Sequence, residues 1–235
     1  MNAHLLGFPR MGLNRELKWG LEKYWKGEAT DTELLTIADE LKKRHWGIQA
    51  DAGLDLLPVG DFSLYDHVLD TIAMLGAVPE RFDWNGKEVS LETYFHMARG
   101  YAEQGIPAME MTKWFDSNYH YIVPELSTDM TFRKTDSRLL ADVQTVRKLG
   151  LKPKPVIVGP ITFLMLAKEV DECNRWDLLD SLTDAYCDII TELDGQCSWI
   201  QIDEPALCMD LSAEARKAFG IAFAKLRSAA LPASS

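Results

Sequence analysis

The residues best suited to chemistry in this sequence are a few cations and one pair of acids. Arg10 is followed by the run Arg15-Glu16-Leu17-Lys18, and a further cation, Lys113, stands before Trp114-Phe115. Arginine and lysine are the side chains that hold carboxylates or phosphates through charge-assisted hydrogen bonds. At helical spacing Arg15 and Lys18 share a face, and the partly positive start of a helix there would add to their field. A solvated face salted by Glu16 and Glu22 accounts for the same spacing. Lys113 beside two aromatic rings suits a partly dry pocket for an anion or a flat ligand. It equally suits core aromatics with the lysine reaching out to water. Asp203-Glu204 follows the apolar run Trp199-Ile200-Gln201-Ile202. A carboxylate there could hold an amine or act as a base. Adjacent acids do not form the flanking pair that glycoside hydrolysis requires. His120, between Tyr119 and Tyr121, has no acidic or cysteine neighbour and reads as structural.

These residues lie at the ends of elements that must position them. Apolar segments beginning near Leu5, Leu54, Pro107, Lys154 and Trp199 read as five buried strands. Helical patterns lie between them: from a cap at Asn14 to about Lys26, after Asp31, after Ser90, and over about 137–149, 176–193 and 212–229. Strand alternating with helix implies a parallel sheet covered by helices. Such folds gather chemistry where strands end, and each predicted strand ends in glycine, proline or charge: Arg10 with Gly12, Gly60 with Asp61, Thr112 with Lys113, Gly159 with Pro160, Asp203 with Glu204. The expectation is a (β/α) barrel with about five of its eight units present, an incomplete TIM barrel, filling residues 1–235. Three more units would need roughly 130 to 150 further residues. Leu231-Pro-Ala-Ser-Ser reads as a tail after a helix. A doubly wound open sheet of five strands is the alternative, and needs no missing piece.

Composition narrows the function. With 47% hydrophobic and 26% charged residues the chain can bury a sizeable core, and 25 Lys+Arg against 36 Asp+Glu give a net charge of -11. That balance argues against nucleic acid and against a basic membrane-docking face, so an anionic ligand needs a local basic cluster. No apolar run is long enough for a membrane span and no leader pattern is present, so the cytosol is the expected compartment. Cys173, Cys187, Cys197 and Cys208 form no CxxC pair and have no adjacent histidine, which is not zinc-ligand spacing. They read as reduced, structural thiols.

Taken together, GFPRMG (7–12), RELK (15–18), LLPVGDFSLYDH (56–67), MTKWFDSNYHYIVPE (111–125), VIVGPITFL (156–164) and WIQIDEPAL (199–207) resemble, in order and spacing, the N-terminal domain of the cobalamin-independent methionine synthases. The resemblance spans essentially the whole chain, and MTKWF followed by NYHY is its most specific part. It implies the front part of one of two (β/α)8 barrels in an enzyme that moves a methyl group from 5-methyltetrahydropteroyl-triglutamate to homocysteine. It implies that catalytic zinc sits in a C-terminal barrel absent from this chain, which would itself hold no metal and no catalytic residue. Arg15, Glu16, Leu17 and Lys18 match the family's first folate-binding segment, and Lys113 matches the lysine of its MTKWF segment. The family's catalytic half carries a segment like QIDEPA whose acid meets the homocysteine amine, but for Asp203 and Glu204 a packing role is the expectation. The chain alone is then expected to be inactive, with self-association through the open barrel edge. A stand-alone anion or folate-binding module and an independent barrel hydrolase are the alternatives.

Overall fold

Helices and short strands are interspersed, without strict alternation, in a computed structural model that describes residues 2–230; the predicted tail at 231–235 lies outside the described residues. The helices are α1 (Glu16–Trp25), α2 (Asp31–Asp51), α3 (His67–Leu75), α4 (Leu91–Arg99), α5 (Arg138–Lys148), α6 (Pro160–Leu166), α7 (Leu179–Leu193) and α8 (Ala213–Ala230). The strands are β1 (Leu57–Val59), β2 (Met111–Lys113), β3 (His120–Ile122), β4 (Glu125–Leu126), β5 (Pro153–Val158), β6 (Lys168–Glu169) and β7 (Gln201–Asp203). The chain divides into two compact units, each drawn from three separate stretches.

The first unit comprises Met1–Leu64, Arg138–Val156 and Gly195–Gln201. Here α1 packs on α2, with Leu17, Leu21, Leu34, Ala38 and Leu41 buried. Helix α2 is capped by Thr30, one residue before the predicted cap Asp31. The Thr30 hydroxyl accepts the Glu33 N–H while the Glu33 carboxylate accepts the Thr30 N–H, satisfying two amides at the helix start. The indole of Trp46 donates to the Pro58 carbonyl at 3.1 Å and ties α2 to β1. Strand β1 runs parallel to β5, Leu57 opposite Pro153, and β5 is buried at every position, as a strand covered on both faces should be.

The second unit comprises Tyr65–Ser137, Ile157–Asp194 and Ile202–Ser235. Its largest helix pair is α7 with α8. The fully buried Tyr186 donates its hydroxyl to the Val158 carbonyl at 2.5 Å, joining α7 to the end of β5. There Gly159 N–H donates to the Asp203 carbonyl, so the sheet order is β1-β5-β7. Two smaller pairs complete the pattern, β2 antiparallel to β3 and β4 parallel to β6.

An α/β chain with parallel strands is therefore present, but two of the five predicted strands differ. The segment from Leu5 makes no strand; a single parallel bridge joins His4 to Leu56. Its backbone is satisfied by side chains instead: Asp61 accepts the Phe8 N–H at 2.7 Å, and the Lys154 ammonium and Gln201 amide donate to the carbonyls of Leu5 and Leu6. The segment from Pro107 is not a buried parallel strand. Its Met111–Lys113 is exposed throughout, and the chain turns back through Phe115 and Asp116, both at positive φ, to pair antiparallel with β3. Helices α3 and α6 were not anticipated, although Pro160 at the first helical position is a start signal.

Candidate functional site

In the first unit the sequence-predicted cluster is built on the start of α1. The cap is Arg15, not Asn14, and Arg15 adopts the left-handed conformation at φ 59° just outside the helix. Arg15 and Lys18 therefore do not share a regular helical face. Arg15 is exposed, while the Lys18 ammonium lies 3.7 Å from Glu22 and 4.7 Å from the centre of the Trp19 ring. Leu17 is 0% exposed, so its side chain anchors the segment in the core. The Glu16 carboxylate accepts the Asn14 N–H at 2.9 Å and meets Arg44 at 2.6 Å. Its own backbone N–H, followed by Arg44, holds it below the usual carboxylate range. Glycine is required at Gly12, where φ is +80° and a Cβ would stand 2.2 Å from Glu16 Oε2.

The loop before α1 is held from below by buried polar groups. Arg10 donates to the Ser63 carbonyl at 2.6 Å. Burial raises the Asp61 carboxyl, opposed by the Phe8 N–H. Lys154 is only 3% exposed, and its ammonium contacts the Leu5 carbonyl at 2.6 Å, His4 Nδ1 at 3.0 Å and the Gln201 amide oxygen. Lys154 escaped the sequence reading because an apolar strand gives no sign of a lysine satisfied internally.

In the second unit Lys113 ends β2, opposite His120, and both are exposed. The partly dry pocket is not what the fold provides: Lys113 projects from an exposed strand while Trp114 packs. The Trp114 ring stands edge-on to His67 at 4.4 Å and to Tyr121 at 5.7 Å. His67 Nδ1 lies 3.3 Å from the Tyr119 hydroxyl. His120, read as structural, is exposed, with Nδ1 3.2 Å from the Asn118 carbonyl. Among the described residues neither Arg15 nor Lys113 is in an ion pair.

Glu204 performs a local structural task. Its two oxygens accept the N–H groups of Ile161 at 3.0 Å and Thr162 at 2.6 Å, capping α6. Burial nevertheless raises its carboxyl. The residue sequence reasoning missed is Asp66, 1% exposed, which accepts the N–H groups of Val68, Leu69 and Ile122. Burial pushes its carboxyl up to about 7 against those three hydrogen bonds. Its signal was an acid immediately before the apolar spacing Val68, Leu69, Ile72, Ala73. Among the described residues no group of three or more His, Cys, Asp or Glu could hold a metal, so the residues present do not fit a zinc site. Among the described residues none of Cys173, Cys187, Cys197 and Cys208 is in a disulfide.

The family model for the N-terminal domain of the cobalamin-independent synthases matches residues 2–234. The chain belongs to this family. It is 52% identical over 213 residues to a Syntrophotalea carbinolica protein, covering 90% of this chain and 28% of that one. It is 48% identical over 237 residues to a Salinibacter ruber protein, covering 97% of this chain and 31% of the relative. Both relatives are named 5-methyltetrahydropteroyltriglutamate–homocysteine methyltransferase. The chain thus spans under a third of the length of these curated relatives. In fold it is similar to a B12-independent methionine synthase from Shewanella sp. W3-18-1 solved with selenomethionine, with a TM-score of 0.53 and 20% identity over 76% of this chain and 45% of that one. A Listeria monocytogenes protein provisionally named a vitamin-B12-independent methionine synthase gives a TM-score of 0.59 at 14% identity, covering 97% and 62%.

Proposed function

We propose that this synthase domain is the folate-binding front part of an enzyme that transfers the methyl group of 5-methyltetrahydropteroyl-triglutamate to homocysteine, in methionine biosynthesis. The observation that carries the reading is an exposed, unpaired Arg15 at the positive start of α1, in a chain whose curated relatives are named for that triglutamate substrate. A triglutamate tail is a row of carboxylates. In a protein of net charge -11, Arg15 and Lys18 of the first unit are cations of the type that tail needs; Lys113 of the second unit is a candidate cation in its own right. Glu16 and Leu17 contribute by fixing the segment, Glu16 through Arg44 and Leu17 through burial.

In this reading the parallel strands β1, β5 and β7 belong to an incomplete TIM barrel, and catalysis and zinc reside in a further C-terminal barrel. The chain alone then turns over no substrate and works in the cytoplasm. The β7 edge ends the order β1-β5-β7 and invites self-association; sedimentation velocity should show concentration-dependent association, and a monomer at all concentrations rejects it.

Calorimetric titration of the 235-residue chain tests the ligand reading. The triglutamate should bind more tightly than the monoglutamate, and the Arg15→Ala/Lys18→Ala/Lys113→Ala variant should lose that advantage. Equal affinity for the two folates, or an unchanged variant, rejects the polyglutamate role. Methyl transfer by the purified, metal-free chain would instead favour an independent enzyme.

A further inference from the structure

Lys113 sits on a strand exposed at all three positions, so burial of β2 does not fix where its ammonium points. The hairpin is held from its other strand. Ile122, at the far end of β3, donates its N–H to Asp66 Oδ2 at 3.1 Å, while Asp66 Oδ1 accepts Val68 N–H at 2.7 Å and Leu69 N–H at 3.3 Å. One oxygen therefore caps α3 and the other holds the hairpin. The next residue, His67, reaches the turn, against Trp114 and Tyr119. Trp114 N–H in turn donates to the Tyr119 carbonyl at 2.8 Å, closing the hairpin directly beyond Lys113.

We propose that Asp66 is a positioning residue for Lys113, its carboxylate fixing the β2–β3 hairpin to the start of α3 and so setting where the ammonium meets an anionic ligand. The ligand half of this inference rests on the polyglutamate reading above; the mechanical half does not. Ionised, Asp66 offers an acceptor to each arm. Protonated, it keeps one good acceptor, and the helix start competes with Ile122 for it. The charged and titratable groups around it are Asp70, His67, Tyr121 and Glu110. Asp70 opposes the anion and accepts the Tyr94 hydroxyl from α4. His67 stacks on Tyr119, and Tyr121 lies on β3. Glu110, just before β2, is paired with Lys168 of β6 at 2.9 Å. Lys113 and His120 stand at the hairpin's outer end.

The test uses two substitutions that retain a helix cap. In Asp66→Asn the amide oxygen can still cap α3, but the NH2 group faces Ile122 N–H, donor against donor. In Asp66→Ser the hydroxyl is a good cap too short to reach β3. In both folded variants, amide exchange at Ile122 should lose protection by about tenfold or more, while Ile157 and Ile189 keep theirs. Unchanged Ile122 protection overturns the clamp. With 5-methyltetrahydropteroyl-triglutamate as probe, Lys113→Ala should weaken binding several-fold in the native chain and hardly at all in Asp66→Asn. An equal loss in both backgrounds overturns the positioning role. The Lys113-dependent part of the affinity should also strengthen from about pH 6 to 8 in the native chain, where burial places Asp66 at about 7, and not in Asp66→Asn. Because His67 is retained in the variant, a pH response surviving there is not due to Asp66 and counts against the proposal. Failure of the native chain to bind triglutamate rejects the polyglutamate reading and the ligand half with it; exchange at Ile122 still decides the clamp.

Discussion

A methyl group at Gly159 would stand 2.2 Å from the Glu204 Cδ, because the carboxylate must come this close to reach the first amides of α6. Gly159→Ala should therefore lower stability by about 1–3 kcal/mol, read as a lower urea midpoint with an unchanged slope. Gly12→Ala combines a positive φ with collision against Glu16 and Leu41, the residues that hold the start of α1. It should destabilise the chain by at least about 1–2 kcal/mol and weaken triglutamate binding, measured by denaturation and calorimetry. Residue types were the most legible level of this site. Arg15 and Lys18 were visible as cations at the opening of a helix and Lys113 as one at a strand end. Asp66 and Lys154 were not, because their importance lies in partners 56 and 149 positions away in sequence.

Helix starts were legible where a short polar side chain precedes an apolar rhythm. Ser90 caps α4 as predicted, its hydroxyl accepting Thr93 N–H at 3.1 Å. At α2 the choice between Thr30 and Asp31 turned on reciprocity, since Thr30 and Glu33 satisfy each other's amides. Thr30→Ala should cost about 1 kcal/mol, measured by urea denaturation, and Thr30→Ser should recover most of it. Strand pairing was less legible. Burial from both faces marks β5 as a central parallel strand, but Met111-Thr112-Lys113 looks apolar only when the neighbouring Pro107–Met109 and Trp114–Phe115 are counted with it. The decisive feature is the positive φ at Phe115 and Asp116, which aspartate tolerates better than most residues but a bulky phenylalanine rarely adopts. Pairing of the Leu5 segment failed for a different reason, as side chains from elsewhere took the hydrogen bonds a neighbouring strand would have used.

Across the whole molecule, several carboxyls are raised above their ordinary values, the buried Asp66 to about 7 and the half-buried Asp61, Asp142 and Glu204 upward, all chiefly by loss of solvent. A raised acid binds its proton more tightly folded than unfolded. Its contribution is fully present below the unfolded value and is lost as pH rises through the folded one. The urea midpoint should therefore be higher at about pH 5.5 than at about pH 8. Glu16, Glu33 and Glu169 are shifted the other way, by hydrogen bonds, and their contributions fade only in more acidic solution. A midpoint that rises from pH 5.5 to 8 would show that the buried acids are not the dominant titrating groups.

The interleaving of the two units carries a consequence for how the chain is made. Neither unit is a continuous stretch: the first needs residues up to Gln201, and the second already claims Tyr65–Ser137 before the first is complete. A ribosome adding about 5–20 residues per second therefore exposes α1, α2 and β1 for several seconds before β5, the strand that closes on β1, has even been synthesised. Through that interval α1 and α2 can cover one another, but Leu57 on β1 awaits a partner strand still to be translated, so nascent chains halted before Pro153 are the ones expected to need a chaperone's cover.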